Sequence, residues 1–301
     1  WWGITVLPTI NKNAVGFEDF IAGEGGVLDK YMSLGFSGVR LDVVDEISDE
    51  FVRKIRERIK GYGEDKVLIG EVWEDATNKI AYDKRRKYFQ GGELDSVMNY
   101  PLKDAIIEYV INGDSLTLFK TVREQIDNYP YFALNSLMNI LGTHDTPRIL
   151  TVLGKRGVLK QTRAEMAGEK LTEAELKEGI LMLKCSLLLQ FTLYGVPCIY
   201  YGDEQKTQGN KDPFNRKCFL ESDDKELFVW YSDLSRMRRS FSCFSAGRIE
   251  DIVADKGFFS FSRNDGNTKV YVAVNCGIKP VDLTFGEEVY EVTRNVKLSK
   301  I

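Results

Sequence analysis

Gly38-Val39-Arg40-Leu41-Asp42 and Leu68-Ile69-Gly70-Glu71-Val72-Trp73 are apolar runs that meet an acid near their ends, and Leu141-Gly142-Thr143-His144-Asp145 repeats the arrangement. Such a run reads as a strand buried on both faces, with the acid where the strand emerges. In a parallel α/β barrel, the carboxyl ends of the strands form the face on which active sites are built. The three runs therefore predict three carboxylates converging on one face.

The rest of the chain supports this framework. A helix is predicted over Phe17–Gly35, a strand over Gly38–Val43, a helix over Asp49–Lys60 and a strand over Val67–Val72. Further strands are expected at Leu94–Val97, Leu137–Gly142 and Cys198–Tyr200. Helices are expected at Leu102–Val110, Leu116–Glu124, Glu173–Thr192 and Asp224–Arg239. Short strands alternating with helices argue a parallel sheet. Gly154–Lys170 reads as a long exposed loop. After Ser240 the pattern changes to β-rich runs at Gly257–Arg263 and Lys269–Val274, joined by the turn signal Asn264-Asp265-Gly266-Asn267. Residues 241–301 are expected to form a small antiparallel β domain.

Composition narrows the classes of function. The 301 residues are 43% hydrophobic and 29% charged, enough for a sizeable core. A formal net charge of -4 and the lack of a basic run interleaved with aromatics argue against nucleic acid as a partner. The longest apolar run, Cys185–Tyr201, is interrupted by Gln190, Gly195 and Pro197, so no membrane span is expected. The five cysteines form no C-x-x-C pair and His144 is the single histidine, which argues against a Cys/His zinc site. Reduced, mostly buried thiols lean toward the cytoplasm. The chain opens on Trp1-Trp2-Gly3 rather than Met, and is expected to be a piece of a longer protein.

The side chains at the three strand ends suit glycoside cleavage. Arg40 and Asp42 are two apart on a strand and share a face, so the Arg would keep the carboxylate ionised, as a nucleophile requires. Glu71, followed by Trp73 on the same face, is expected in an apolar surround that favours its protonated form, as a general acid requires. Trp73 would also stack on a sugar ring. His144 and Asp145 would hold adjacent hydroxyls of one sugar. Each segment taken alone also has a plain reading: a structural ion pair, a core Trp beside a solvated Glu, or a charged loop around Gly202-Asp203-Glu204 and Asp212-Pro213-Phe214-Asn215-Arg216.

Together these stretches resemble the α-amylase family of glycoside hydrolases. Gly38-Val39-Arg40-Leu41-Asp42 is similar to the family's nucleophile strand, Gly70-Glu71-Val72-Trp73 to its acid/base strand, and His144-Asp145 to its third-carboxylate motif. Leu7-Pro8-Thr9-Ile10-Asn11, Leu94-Asp95-Ser96-Val97-Met98-Asn99-Tyr100-Pro101 and the run from Gly195 to Glu204 are further matches. Val44-Asp45-Glu46, Trp1-Trp2-Gly3 and the Asp212–Arg216 loop look like the neopullulanase, cyclomaltodextrinase and maltogenic amylase branch, although Asp45 stands where that branch has Asn.

The resemblance implies a retaining enzyme for α-glucosidic bonds of maltooligosaccharides, pullulan and cyclodextrins. Asp42 would be the nucleophile, Glu71 the acid/base and Asp145 the transition-state stabiliser. Arg40 and His144 would bind the sugar at the cleaved bond, Asp212 and Arg216 the next one, and Trp73 and Glu46 the leaving side. It also implies an incomplete (β/α)8 barrel. Residues 1–240 would supply strands four to eight from the loop after strand three, with the missing N-terminal part or a second copy as a partner. The family's Asp-x-x-x-Asn-His motif on strand three has no counterpart here. No redox cofactor is called for, and calcium in the complete protein would be bound mostly by upstream residues. The rival reading is a non-catalytic, amylase-like binding subunit, or a fragment inactive for want of strands one to three.

Overall fold

The computed structural model describes residues 1–11, 14–158, 160–285 and 296–300. In chain order its first elements are α1 (Val15–Ala22), α2 (Val27–Ser33), β1 (Gly38–Leu41), α3 (Asp49–Lys60) and β2 (Val67–Gly70). Then come β3 (Ile80–Ala81), β4 (Lys84–Arg85), β5 (Ser96–Val97), α4 (Tyr100–Asn112), α5 (Ser115–Asn128) and α6 (Tyr131–Ser136). These lead to β6 (Met138–Asn139), α7 (Ile149–Gly154), α8 (Arg163–Gly168), α9 (Glu173–Thr192) and β7 (Val196–Pro197). The last are α10 (Glu226–Ser240), α11 (Cys243–Ala246), β8 (Arg248–Asp255), β9 (Phe258–Asn264), β10 (Lys269–Asn275), β11 (Val281–Phe285) and β12 (Val296–Lys300).

The chain divides into two compact units, one of Trp1–Met98 with Tyr129–Ser136 and one of Asn99–Asn128 with Leu137–Ile301. In the first unit, β1, β2 and β5 form a parallel sheet with β2 in the middle. α3 begins at Ser48, whose hydroxyl accepts from Phe51 N at 3.2 Å, and buries Phe51, Val52, Ile55 and Ile59. These four positions repeat every three to four residues, so one stripe of the helix is apolar and meets the core.

The expected helix Phe17–Gly35 is two helices, α1 and α2. Gly25, at φ 73, takes a left-handed conformation that no α-helix continues, and the Gly23–Gly26 stretch breaks the run there. Strands β1 and β2 are also shorter than expected, because their ladder ends one residue before each acid. Residues 1–11, which carry Leu7-Pro8-Thr9-Ile10-Asn11, contain no helix or strand.

In the second unit, β6 and β7 pair in parallel. The strand expected at Cys198–Tyr200 is instead this short pair. Gln190 Nε2 donates to the carbonyls of Asn139 and Cys198, both at 2.9 Å, so a side chain takes over where the ladder stops. α9 buries Ile180, Met182, Leu183, Leu187, Leu189 and Phe191, and apolar residues on every side make it a core helix. The expected loop Gly154–Lys170 contains α8, which opens with a capping box between Thr162 and Glu165.

β8, β9 and β10 form an antiparallel meander with β9 in the middle, in the stretch where β structure was expected. β11 and β12 pair in parallel rather than antiparallel, the residues that join them lying outside those described. The cysteines are free, and only Cys243 is fully buried, so the expectation of mostly buried thiols is corrected. The other four lie at the margins of the core or, as Cys218, in an exposed loop. Among the described residues, no helix is long and apolar enough to cross a membrane.

Candidate active site

The register of the first sheet sets two of the carboxylates side by side. Leu41 pairs with Gly70, so the next residues, Asp42 and Glu71, leave the sheet at one level, and Glu71 N donates to Leu41 O at 3.0 Å. Gly70 fits closely there: a Cβ would come within 2.6 Å of Leu94 Cδ1 and 2.9 Å of Val44 Cγ1, so those side chains would have to shift for any larger residue.

Arg40 ties the two acids together. One guanidinium nitrogen lies 2.6 Å from Asp42 Oδ1 and the other 3.0 Å from Glu71 Oε2, while Nε rests 3.4 Å from Met98 Sδ. Asp42 is 68% exposed and Glu71 only 4%. The same Glu71 oxygen accepts from Val43 N at 2.9 Å, and Oε1 accepts from Trp73 Nε1 at 3.2 Å. The apolar surround expected for Glu71 is therefore corrected: a guanidinium, a backbone N–H and an indole N–H line it, because the loop after β1 folds over it. Val43 makes that donation with φ at 42, a rare conformation for a β-branched residue. Trp73 is 49% exposed, so it is not a core residue.

Glu46 ends a one-turn 3₁₀ helix, Val44–Glu46, that follows the Asp42 loop. Its Oε1 accepts from Trp2 Nε1 at 3.1 Å and from the Tyr82 hydroxyl. Buried Arg86 clamps this turn by donating to the carbonyls of Asp45 at 2.8 Å and Ile47 at 2.7 Å.

The second unit holds the other candidates. His144 Nε2 lies 3.0 Å from Asp145 Oδ2, and Arg216 lies 3.4 Å from Asp145 Oδ1 and 3.0 Å from Asp212 Oδ1. His144, Asp145, Asp212 and Arg216 thus form one cluster, as the sequence grouped them. Asn215 supports it from behind, donating to the carbonyls of His144 at 2.7 Å and Thr146 at 2.8 Å. Arg148, fully buried, donates through Nε to Asn215 O at 2.8 Å and pairs with Asp203 at 3.1 Å. Its guanidinium lies 4.1 Å from the ring centre of Tyr200 and 4.5 Å from that of Tyr201. Burial pushes the Asp203 carboxyl up to about 7, against the pull of Arg148.

Sequence reasoning passed over Val43, Tyr82, Arg86, Arg148 and Asn215. Only the Asp-Pro-x-x-Arg loop and the Gly202-Asp203-Glu204 run hinted at the last two. Among the described residues, no group of three or more His, Cys, Asp and Glu side chains is placed to hold a metal ion.

Comparison with known proteins shows which family the chain resembles. The family model described as "Alpha amylase, catalytic domain" matches residues 23–242. A cyclomaltodextrinase from Bacillus sp is 31% identical over 249 residues, covering 80% of this chain and 39% of that protein. Neopullulanase 2 from Thermoactinomyces vulgaris is 29% identical, covering 81% of this chain and 38% of its own length. The chain thus spans well under half the length of these relatives. A solved cyclomaltodextrinase structure superposes with a TM-score of 0.72 at 27% identity, over 89% of this chain and 41% of that one. The shared fold is of the (β/α)8-barrel type with a C-terminal β domain. By the family match over most of its length, this chain belongs to the alpha-amylase family.

Proposed function

We propose that the whole protein is a retaining glycosidase that cleaves α-glucosidic bonds of starch-derived glucans, maltooligosaccharides, pullulan and cyclodextrins among them. The chain would contribute strands four to eight of the barrel and the trailing β domain, with strands one to three supplied by further sequence of the same protein. The observation that carries this reading is Arg40 bridging Asp42 at 2.6 Å and Glu71 at 3.0 Å. A retaining pair needs its carboxyl groups about 5–5.5 Å apart, and one planar guanidinium holding both is a device for such closeness.

In this mechanism Glu71 gives its proton to the glycosidic oxygen as Asp42 attacks the anomeric carbon. The bond to the leaving sugar breaks and a covalent glycosyl ester forms at Asp42. Deprotonated Glu71 then takes a proton from water, whose oxygen attacks the same carbon and frees Asp42. A sugar hydroxyl in place of water gives transfer instead. Asp145 would offset the positive charge developing on the sugar ring, with His144 and Arg40 on its hydroxyls. Asp212 and Arg216 would hold the next sugar, and Trp73 and Glu46 the leaving side. The chemistry itself calls for no redox cofactor.

The test uses the whole gene product with maltohexaose and an aryl α-maltoside. Proton NMR of the first product should show the α-anomer. Glu71→Gln should lower kcat/KM for maltohexaose by about 10²–10⁴-fold and that for the aryl substrate far less, because forming the glycosyl ester with an aryl leaving group needs no proton. In contrast, kcat should fall on both, since release of the ester needs Glu71 as base. Asp42→Asn should stop turnover of both while binding stays measurable. A β-anomeric first product, or full activity in Asp42→Asn, would overturn the assignment.

A further inference from the structure

The loop after Glu71 carries a feature that the assigned residues leave unexplained. β3 and β4 pair as a minimal hairpin, Ile80 opposite Arg85 and Ala81 opposite Lys84. Its two turn residues, Tyr82 at φ 53 and Asp83 at φ 60, both sit in the left-handed region. Two-residue hairpins usually fill those places with Asn or Gly, because a bulky side chain there is strained. Tyr82 keeps that place and is 70% exposed, yet its hydroxyl is directed onto Glu46.

The hairpin is also pinned in position. Lys79, at its base, lies 3.1 Å from Asp45, and Arg86, just beyond it, grips the carbonyls around Asp45. Both anchors end on the turn that follows the Asp42 loop, so the Tyr82 ring is held relative to the candidate nucleophile strand. An exposed tyrosine alone would mean little. A strained one, clamped and hydrogen-bonded to a site carboxylate, is a prepared surface.

We propose that Tyr82 is a specificity-determining residue for the leaving half of an α-glucan, its ring supporting the second glucose beyond the cleaved bond. This rests on the reading of Glu71 as the acid. The proton of Glu71 goes to the leaving oxygen, so the leaving sugar lies against Glu71 and the loop that follows it. Trp73, bonded to Glu71, borders the first such sugar, and Tyr82, reaching only as far as Glu46, borders the next. The C–H face of a glucose ring is apolar and suits an aromatic face, while the Glu46 carboxylate accepts its hydroxyls. The preferred substrate is accordingly a linear glucan with at least two glucose units on the leaving side.

The test compares kcat/KM for maltohexaose with that for an aryl α-maltoside, which places no sugar beyond the cleaved bond. In the whole gene product, Tyr82→Ala should lower the ratio of the two about fivefold, the size of one aromatic contact. Asp83→Gly, in the same turn, should leave the ratio as it is. An unchanged ratio in Tyr82→Ala, or an equal change in Asp83→Gly, would overturn the proposal. Should the wild type cleave neither substrate, the acid assignment fails separately. Calorimetric binding of maltohexaose then decides on Tyr82: a severalfold loss in Tyr82→Ala supports a sugar platform, and equal affinity rejects it.

Discussion

Arg40 and Arg148 do related work at two candidate clusters, each using a planar guanidinium to hold several partners at once. Arg40 spans two acids, and its pairing with Asp42 follows from a spacing of two along a strand. Its pairing with Glu71 comes from the parallel register of β1 and β2. Arg148 is buried with Asp203 and passes its orientation to His144 through Asn215. The Asp203 carboxyl sits at about 7 in the fold, above its ordinary value of 3.8, because burial disfavours the charge. The folded state therefore holds this proton more tightly than the unfolded chain. Its contribution to stability is complete below about pH 4 and is lost as pH rises through about 7. Asp203→Asn stays neutral at every pH, so its thermal midpoint should gain on that of the wild type between pH 4 and pH 8. Parallel midpoint curves would show instead that the carboxylate is ionised throughout.

At the scale of elements, the site depends on how closely strands and loops approach. Gly70 lets the side chains of Leu94 and Val44 meet the end of β2, and Val44 belongs to the turn behind Asp42. Gly70→Ala should cost about 1–3 kcal/mol through overpacking, read as a lower urea midpoint with an unchanged slope. An unaltered midpoint would mean that Leu94 and Val44 give way freely. The elements legible in sequence were those with a strong local signal. α3 and α9 match their expected bounds, since an apolar stripe or run and a Ser or Thr cap mark them. α1 and α2 were read as one helix because apolar residues continue across the glycines that separate them. The β3–β4 hairpin left no trace in sequence, since Tyr82-Asp83 is not a customary turn pair.

At the scale of the whole molecule, each unit has its own core. In the second unit, Tyr109 of α4 places its hydroxyl 2.9 Å from Gly257 O and 2.7 Å from Val274 O, at the edges of β9 and β10. The hydroxyl has one hydrogen to give and Gly257 O also accepts from Cys276 N at 2.9 Å, so Tyr109→Phe should cost about 0.5–1.5 kcal/mol and speed amide hydrogen exchange in β9 and β10. Exchange unchanged in those strands would show that the meander holds without this contact.

The sequence by itself determined that Asp42 and Glu71 stand at strand ends, because an apolar run terminated by a carboxylate is a local property of the chain; it misplaced Asp145, which lies in a turn six residues beyond the end of β6. It also determined that Arg40 shares a face with Asp42, and it carried the motifs of the alpha-amylase family. Only the tertiary structure decided that Glu71 is lined by hydrogen-bond donors, that Tyr82 reaches Glu46, and that Arg148 and Asn215 stand behind His144. Apart from the bond of Trp73 to Glu71, two residues away, those contacts join residues far apart in sequence and depend on loop paths and close packing that no local pattern encodes.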